Sequence, residues 1–520
     1  MTASIPTSRL PRQLWAFFVA LALVAAAGVW LLLYSTPQGL GLNDDSIAYI
    51  AGARSLLSGQ GYREIWIVSA GVVTHFPPGF SSALAMIGLL SGLDPIRGAR
   101  VLNVSLYGLN IFLIGWLALR MTKSHLVGLL TAALFLLTST LMVVHSNAMS
   151  EPLYIFFTLV AFLLFDVYYQ KFLSSQKINS FLLIVIGCAI GLAYLTRYAA
   201  LALLATCIVA LFILHDAWRT RLISSVWILV GTLPWILGWA IRNKVEGGAL
   251  TNRALGWHPI TFDNVRTGVR TFSSFLVPVG DWQLSLLKIK GLFGTIIILL
   301  ALGLLIWVLI VGLRHFFRPA QVPPPETISF LNGLYIFGYF ASLIVTMTFF
   351  DPATRFQLRI VAPMLVSLVL LLAYGLKSVA SSSAGRIVAI VLTVAIFSVS
   401  ALGQVQNVQS LHRGGQVYAN ERWFDAPAIA ALRKLPADVA IHSNQPGVVY
   451  LYVGRAGSLL PNGEPGISQL KQEVLSGKGV IVIFKSPNPG EVLQAYYDEL
   501  GAGLYAQKYN GDVIYSAPPE

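Results

Sequence analysis

Eleven stretches of predominantly apolar residues, most about 17–25 long, punctuate this 520-residue chain, and nothing else in it constrains the fold so tightly. A run of that length laid out as a helix matches the ~30 Å hydrocarbon core of a bilayer. Inside that core every backbone polar group must find its partner within the protein, which leaves helices as the natural spans. The runs fall at 14–34, 98–119, 126–144, 152–169, 180–196, 199–214, 223–241, 291–313, 328–350, 359–376 and 387–403. Composition agrees, with 56% of residues hydrophobic and 11% charged, against about 25% charged in a soluble domain. The chain reads as an all-α polytopic membrane bundle. Its first run follows Arg9 and Arg12 and is about 21 residues long, enough to cross a bilayer and longer than a signal-peptide core.

The formal net charge of +13 would suggest nucleic acid in a soluble protein. Here the basic residues sit in short loops between apolar runs: Arg120 and Lys123, Lys171 and Lys177, Arg219 and Arg221, Arg314 and Arg318, Lys377 and Arg386. These are alternate loops, as the excess of Lys and Arg on cytoplasmic segments requires. No basic patch with interleaved aromatics is present, so no nucleic-acid partner is expected. The expected topology is a multi-pass inner or plasma membrane protein with a cytoplasmic N-terminus. The exterior side then receives 35–97, the 145–151 turn, the 242–290 loop, the 351–358 turn and the C-terminus. The stretch 77–93 is about 17 residues and opens on Pro-Pro-Gly; as a span it would turn every later basic loop outward, so it reads as an interfacial helix. Cys188 and Cys207 both lie inside apolar runs and suggest neither a disulfide framework nor a thiolate metal site.

Past about residue 404 the apolar runs shorten and turn residues return. Helical patterns at 421–435, 445–453 and 489–500 alternate with strand patterns at 439–443 and 479–485. The stretch 505–516 carries Asn510-Gly511-Asp512, a hairpin signal between alternating residues. The expected organisation is a membrane domain over 1–404, with a large first exterior loop at 35–97, and a small exterior α/β domain over 405–520.

Ionisable groups that could carry chemistry gather on the expected exterior side. Asp44 and Asp45 open an amphipathic helical stretch. One of them would serve as an ordinary helix cap, with Ser46 as a rival, or one would act as a general base or metal ligand at the membrane surface. His75 precedes Pro77-Pro78-Gly79 and is either a loop residue or a phosphate or metal ligand. Ser150-Glu151-Pro152 makes an ordinary helix start, yet Glu151 could complete a metal or sugar site. Arg355 and Arg359, four residues apart, would share one face if helical. They are then interfacial anchors or a guanidinium clamp for a phosphate. Arg197, between two tightly connected spans, is a weaker candidate of the same kind. Walker A, HExxH, CxxC and GxSxG patterns are absent, and the span cores hold almost no charges, which disfavours an ion-coupled transporter.

In order and topology these pieces resemble the GT-C superfamily of polyprenyl-phosphate-sugar-dependent glycosyltransferases. The likeness is strongest to its protein O-mannosyltransferase and aminoarabinose-transferase branch. It is carried by Asp44-Asp45 and SIAYIAGARSLLSGQGY after the first span, by HFPPG, by the MSEP turn, by RFQLRIVAPM over 355–364, and by the C-terminal AIHSNQP and YLYVGRAGSLLP. The resemblance implies a GT-C fold and a sugar moved from a polyprenyl-phosphate carrier to a hydroxyl of a glycan, lipid or protein at the exterior face. Asp44 matches the family's first-loop catalytic aspartate, Asp45 stands where glutamate is more usual, and Glu151 matches the second exterior acid of some relatives. His75 stands where other branches carry lysine. Asp44 is the expected base, with Asp45 and Glu151 beside it, and Arg355, Arg359, Arg197 and His75 are expected at the donor phosphate. A direct displacement with one carboxylate base predicts inversion. A divalent metal, with Asp44, Asp45, Glu151 and His75 as its candidate ligands, is left open. Two other classes compete: a flippase or exporter of lipid-linked sugars, and a receptor that binds glycans through the exterior domain.

Overall fold

The computed structural model describes residues 12–250, 255–319, 321–485 and 491–519. These residues divide into two compact units. One comprises the described residues of Met1–Thr36, Thr74–Phe80 and Val101–His412; the other comprises those of Pro37–Val73, Ser81–Arg100 and Arg413–Glu520. The composition change near residue 404 falls inside a helix, Ser383–Gly414, whose last turns are polar. The stretch 35–97 is shared between the two units, and most of it belongs with the C-terminal residues.

In the first unit all eleven apolar runs are helical. Eight helices among the described residues are long and apolar enough to cross a membrane, and a bent pair makes a ninth. That pair, His125–Leu137 and Ser139–His145, turns by 66° at Thr138, whose hydroxyl bonds back to the Leu134 carbonyl. The remaining two, Ser180–Thr196 and Ala200–Leu214, have 17 and 15 residues. Local signals set several helix starts. Ser124, Asn179 and Glu326 each accept a bond from a first-turn N–H with their side chains, satisfying donors that the helix itself leaves open. Helix Ser180–Thr196 lies directly against Trp218–Gly247. A Cβ on Gly187 would stand 2.2 Å from the Ile228 carbonyl oxygen, and one on Gly231 would stand 2.3 Å from that of Ile184. Small residues bring backbones this close in lipid, where packing and hydrogen bonds replace the hydrophobic drive. Thr232 adds one such bond, to the Gly187 carbonyl, at 3.0 Å.

The stretch expected at the interface forms the helix Gly79–Ser91, whose 13 residues reach only about 20 Å. The 242–290 stretch, read from sequence only as a loop, contains the helices Phe262–Leu276 and Gly280–Lys288.

The second unit holds the helix Asp44–Leu57 and a five-stranded sheet. The strands are β1 (Ala440–Ser443), β2 (Ser458–Leu459), β3 (Gly479–Ile483), β4 (Tyr505–Tyr509) and β5 (Asp512–Ser516), in the order β2-β1-β3-β5-β4. β1 runs parallel to both neighbours, and β5 is antiparallel to β3 and β4. The expected hairpin closes through Asn510 (φ 48°) and Gly511 (φ 96°), the two left-handed residues of a type I′ turn. Ile467, Leu470 and Val474 of helix Gly466–Leu475 pack with Ile481, Ile483 and Leu500. The helix expected at 421–435 is two short pieces, Glu421–Trp423 and Pro427–Leu432, because Pro427 restarts the chain. The helix expected from Pro489 is seen as Glu491–Gly501; Pro489, like Arg9, lies outside the described residues.

Candidate active site

Neither Asp44 nor Asp45 caps the helix that they open. The cap is Asn43, whose Oδ1 accepts from both the Ser46 N–H and the Ser46 hydroxyl at 3.0 Å. Both acids therefore lie in the first helical turn, where the positive end of the helix favours a carboxylate. Asp44 is exposed, and its Oδ1 accepts a 2.9 Å hydrogen bond from the Tyr418 hydroxyl. Tyr418 is buried, and burial together with the Asp44 charge raises its pKa, so the phenol remains a donor. Gly447 completes the surroundings: a Cβ there would meet Ile47 Cδ1 at 2.3 Å and Asp44 Oδ1 at 3.5 Å. Tyr418 and Gly447 carry no sequence signal that ties them to Asp44. Asn43, by contrast, stands three residues before Ser46, a spacing at which a cap can be read.

In the first unit, Glu151 is completely buried at the start of helix Glu151–Ser175. Its Oε1 lies 2.7 Å from Arg197 Nη1, while Oε2 has no hydrogen-bond partner among the described residues. The Ser150 side chain makes no cap bond; its hydroxyl accepts from Arg197 at 3.2 Å instead. Arg197 sits in the turn between Ser180–Thr196 and Ala200–Leu214, with its backbone extended at φ −153°. The His75 segment rests on the same turn. Gly79 touches it so closely that a Cβ would stand 2.6 Å from the Leu195 carbonyl oxygen, and the Tyr198 hydroxyl donates to the Thr74 carbonyl at 3.3 Å. His75 itself is half-buried against Phe76, their ring centroids 4.3 Å apart. The first unit thus brings Glu151, Arg197 and the His75 segment into one neighbourhood.

Arg355 and Arg359 do not share a helical face, because the helix Leu358–Val379 begins after Arg355. Asp351 shapes the irregular entrance, accepting from the Ala353 N–H and the Thr354 hydroxyl. Phe356 anchors it: the side chain is buried against Phe340 and the carbonyl accepts from Thr271. Arg355 is left exposed and Arg359 half-buried. The four-residue spacing that suggested a clamp is real, but only Arg359 lies within the helix. Among the described residues no three His, Cys, Asp or Glu side chains are grouped to hold a metal ion, so Asp44 and Asp45 supply a pair of candidate ligands and Glu151 is spent on Arg197.

Residues 82–242 match the family described as dolichyl-phosphate-mannose-protein mannosyltransferase. The fold is similar to that of ArnT from Cupriavidus metallidurans in the apo state, with 15% identity, 98% of this chain and 99% of that chain covered, and a TM-score of 0.59. It is similar to the same protein bound to undecaprenyl phosphate, with 14% identity, 98% and 100% covered, and a TM-score of 0.57. A third likeness is to the archaeal oligosaccharyltransferase AglB from Archaeoglobus fulgidus in complex with an inhibitory peptide and a dolichol-phosphate. Here identity is 12%, coverage 97% and 74%, and the TM-score 0.57. At these identities the likeness is one of fold, and it is the GT-C fold that the sequence resemblance implied. No curated protein matches the chain.

Proposed function

We infer that this chain, a multi-pass membrane glycosyltransferase of the GT-C superfamily, takes one sugar from a polyprenyl-phosphate carrier and delivers it, with inversion, to an acceptor hydroxyl. Asp44 is the general base. The observation that carries the assignment is the state of that carboxylate. It is relieved of capping by Asn43, exposed, set at a helix N-terminus, and held, among the described residues, by a hydrogen bond to Oδ1 from Tyr418. Asp44 Oδ2 takes the proton as the acceptor oxygen bonds to the anomeric carbon and the bond from that carbon to the phosphate oxygen breaks. The leaving polyprenyl phosphate gathers negative charge, which the exposed Arg355 would offset, with the half-buried Arg359 as a second candidate. Arg197 is assigned to Glu151 as its counter-ion, Asp45 is assigned to the acceptor side of the reaction, and His75 to the donor phosphate. The donor class is supported by two fold neighbours that hold undecaprenyl phosphate and dolichol-phosphate. The basic alternate loops support a cytoplasmic N-terminus, with the C-terminal unit on the exterior of the cell membrane.

The test uses membranes bearing the full chain and a panel of undecaprenyl-phosphate sugars with radiolabelled sugar. Asp44→Asn should slow turnover by about 10²–10⁴-fold, and Arg355→Ala should raise KM for the lipid donor. Parental turnover by Asp44→Asn would remove the base assignment, and unchanged donor kinetics would leave Arg355 as a surface anchor. Product formed in detergent, where no compartments exist, separates a transferase from a flippase.

A further inference from the structure

We propose that Tyr418 is a positioning residue for Asp44: its phenol fixes one carboxylate oxygen so that the other is aimed at the acceptor hydroxyl. This rests on Asp44 being the base, and it gives the C-terminal residues a part in the chemistry. The hydrogen bond from the Tyr418 hydroxyl to Oδ1, at 2.9 Å, joins positions 374 residues apart in the chain. The surroundings are built to hold that phenol still. The Tyr418 N–H donates to the Leu42 carbonyl, two residues before the Asp44 helix begins, at 3.0 Å. The Tyr418 carbonyl accepts from the Tyr452 hydroxyl at 2.5 Å, and the Val417 carbonyl accepts from Trp423 Nε1 at 3.0 Å. The ring lies edge-on to Trp423, with centroids 6.0 Å apart.

The backbone is also strained at this point. Val417 is held at φ 46°, a left-handed conformation that a β-branched residue avoids and that persists only where neighbouring contacts enforce it. That conformation sets the direction in which Tyr418 leaves the chain. Gly447 lets the same region close over the helix, since a Cβ there would collide with Ile47. A tyrosine serving only to latch a loop would be satisfied by its backbone bonds and ring packing. The hydroxyl is instead spent on the one carboxylate that the reaction needs.

Tyr418→Phe removes the hydroxyl and keeps the ring and both backbone bonds. In membranes given the labelled undecaprenyl-phosphate sugar that the parent turns over, kcat should fall about tenfold or more, as for loss of a hydrogen bond to a charged group. KM for that donor should stay within about twofold and the melting temperature in detergent should be unchanged, because only the reacting geometry is touched. Replacing Tyr418 by 3-fluorotyrosine, which keeps ring and donor, should restore the parental kcat. Parental kcat in Tyr418→Phe alongside an inactive Asp44→Asn would overturn the positioning role and leave the base assignment standing. An active Asp44→Asn would remove the base itself. A lowered melting temperature with raised KM, or a fluorotyrosine chain as slow as Tyr418→Phe, would make Tyr418 a structural latch and also overturn the proposal.

Discussion

The pair Glu151–Arg197 offers a test of whether a buried acid is chemical or architectural. Glu151 is wholly buried and Arg197 retains 17% exposure of its side chain, with 2.7 Å between charged atoms. Removing one partner of such a pair strands a charge in a medium of low polarity, at a cost of about 3–5 kcal/mol. Arg197→Met should therefore destabilise the protein by that amount, since Glu151 Oε2 already lacks a hydrogen-bond partner among the described residues and Oε1 would lose its ion pair. Glu151→Gln should cost less, because the amide is neutral. The double variant should be more stable than Arg197→Met alone, with a coupling of about 2 kcal/mol or more, within the range for residues in direct contact. Thermal unfolding in detergent, followed by fluorescence of the twelve tryptophans, measures all four corners of the cycle. Costs that simply add, or an Arg197→Met variant within about 1 kcal/mol of the parent, would refute this reasoning, since contacting charges must couple. Donor KM measured on the same variants then reports whether Arg197 also touches the phosphate.

Two further outcomes follow from packing and charge. Gly187→Ala places a methyl 2.2 Å from the Ile228 carbonyl oxygen and should lower stability by about 1–3 kcal/mol, whereas Gly238→Ala, with nothing within 4 Å of the new carbon, should be neutral or stabilising by the same melting assay. In the second unit, Arg54 holds Asp94 through two hydrogen bonds at 2.9 and 3.0 Å. Burial pushes the Asp94 carboxyl up, and the bonds from Arg54 pull it further down, so the net pKa is lowered. A lowered folded pKa means stability that is present above the ordinary carboxylate range and lost as pH falls through and below it. Both side chains are partly exposed, so the contribution is under about 1 kcal/mol; Arg54→Ala should flatten the pH dependence of melting below about pH 4, the ordinary range of an aspartate.

Local features of the sequence were the readable ones. Apolar run length marked the long apolar helices of the first unit, and Asn510-Gly511 marked the hairpin, because both signals are contained in a few consecutive residues. The cap is ambiguous in the sequence, since four consecutive residues there, Asn43 to Ser46, are all good caps, and the structure gives the role to Asn43. Arg355 and Arg359 would share a face only within a helix, and the helix that begins at Leu358 leaves Arg355 outside it. The helix Phe262–Leu276 has only a short apolar signal, Val265, Val269 and Phe272 at helical spacing, which does not register as a membrane-length apolar run. What no local pattern could supply were the long-range partners. Arg197 for Glu151, Tyr418 for Asp44, and Gly79 against Leu195 are each fixed by tertiary packing, for which single-sequence spacing has no signal.

Three tyrosine hydroxyls in the first unit have a mechanical consequence. Tyr154 and Tyr335 share a hydrogen bond at 2.9 Å, and Tyr339 donates to the Ile360 carbonyl at 2.7 Å. Helices Glu151–Ser175, Thr327–Phe349 and Leu358–Val379 are thereby pinned in azimuth. Swivelling any of them by one residue's worth of arc, about 100°, would maroon a phenol where no water waits to receive it. These three form a stator, whereas the helices Arg12–Ser35, Lys290–Phe317 and Ser383–Gly414 bury little of their surface within the protein and, among the described residues, lack such a clamp of shared phenols.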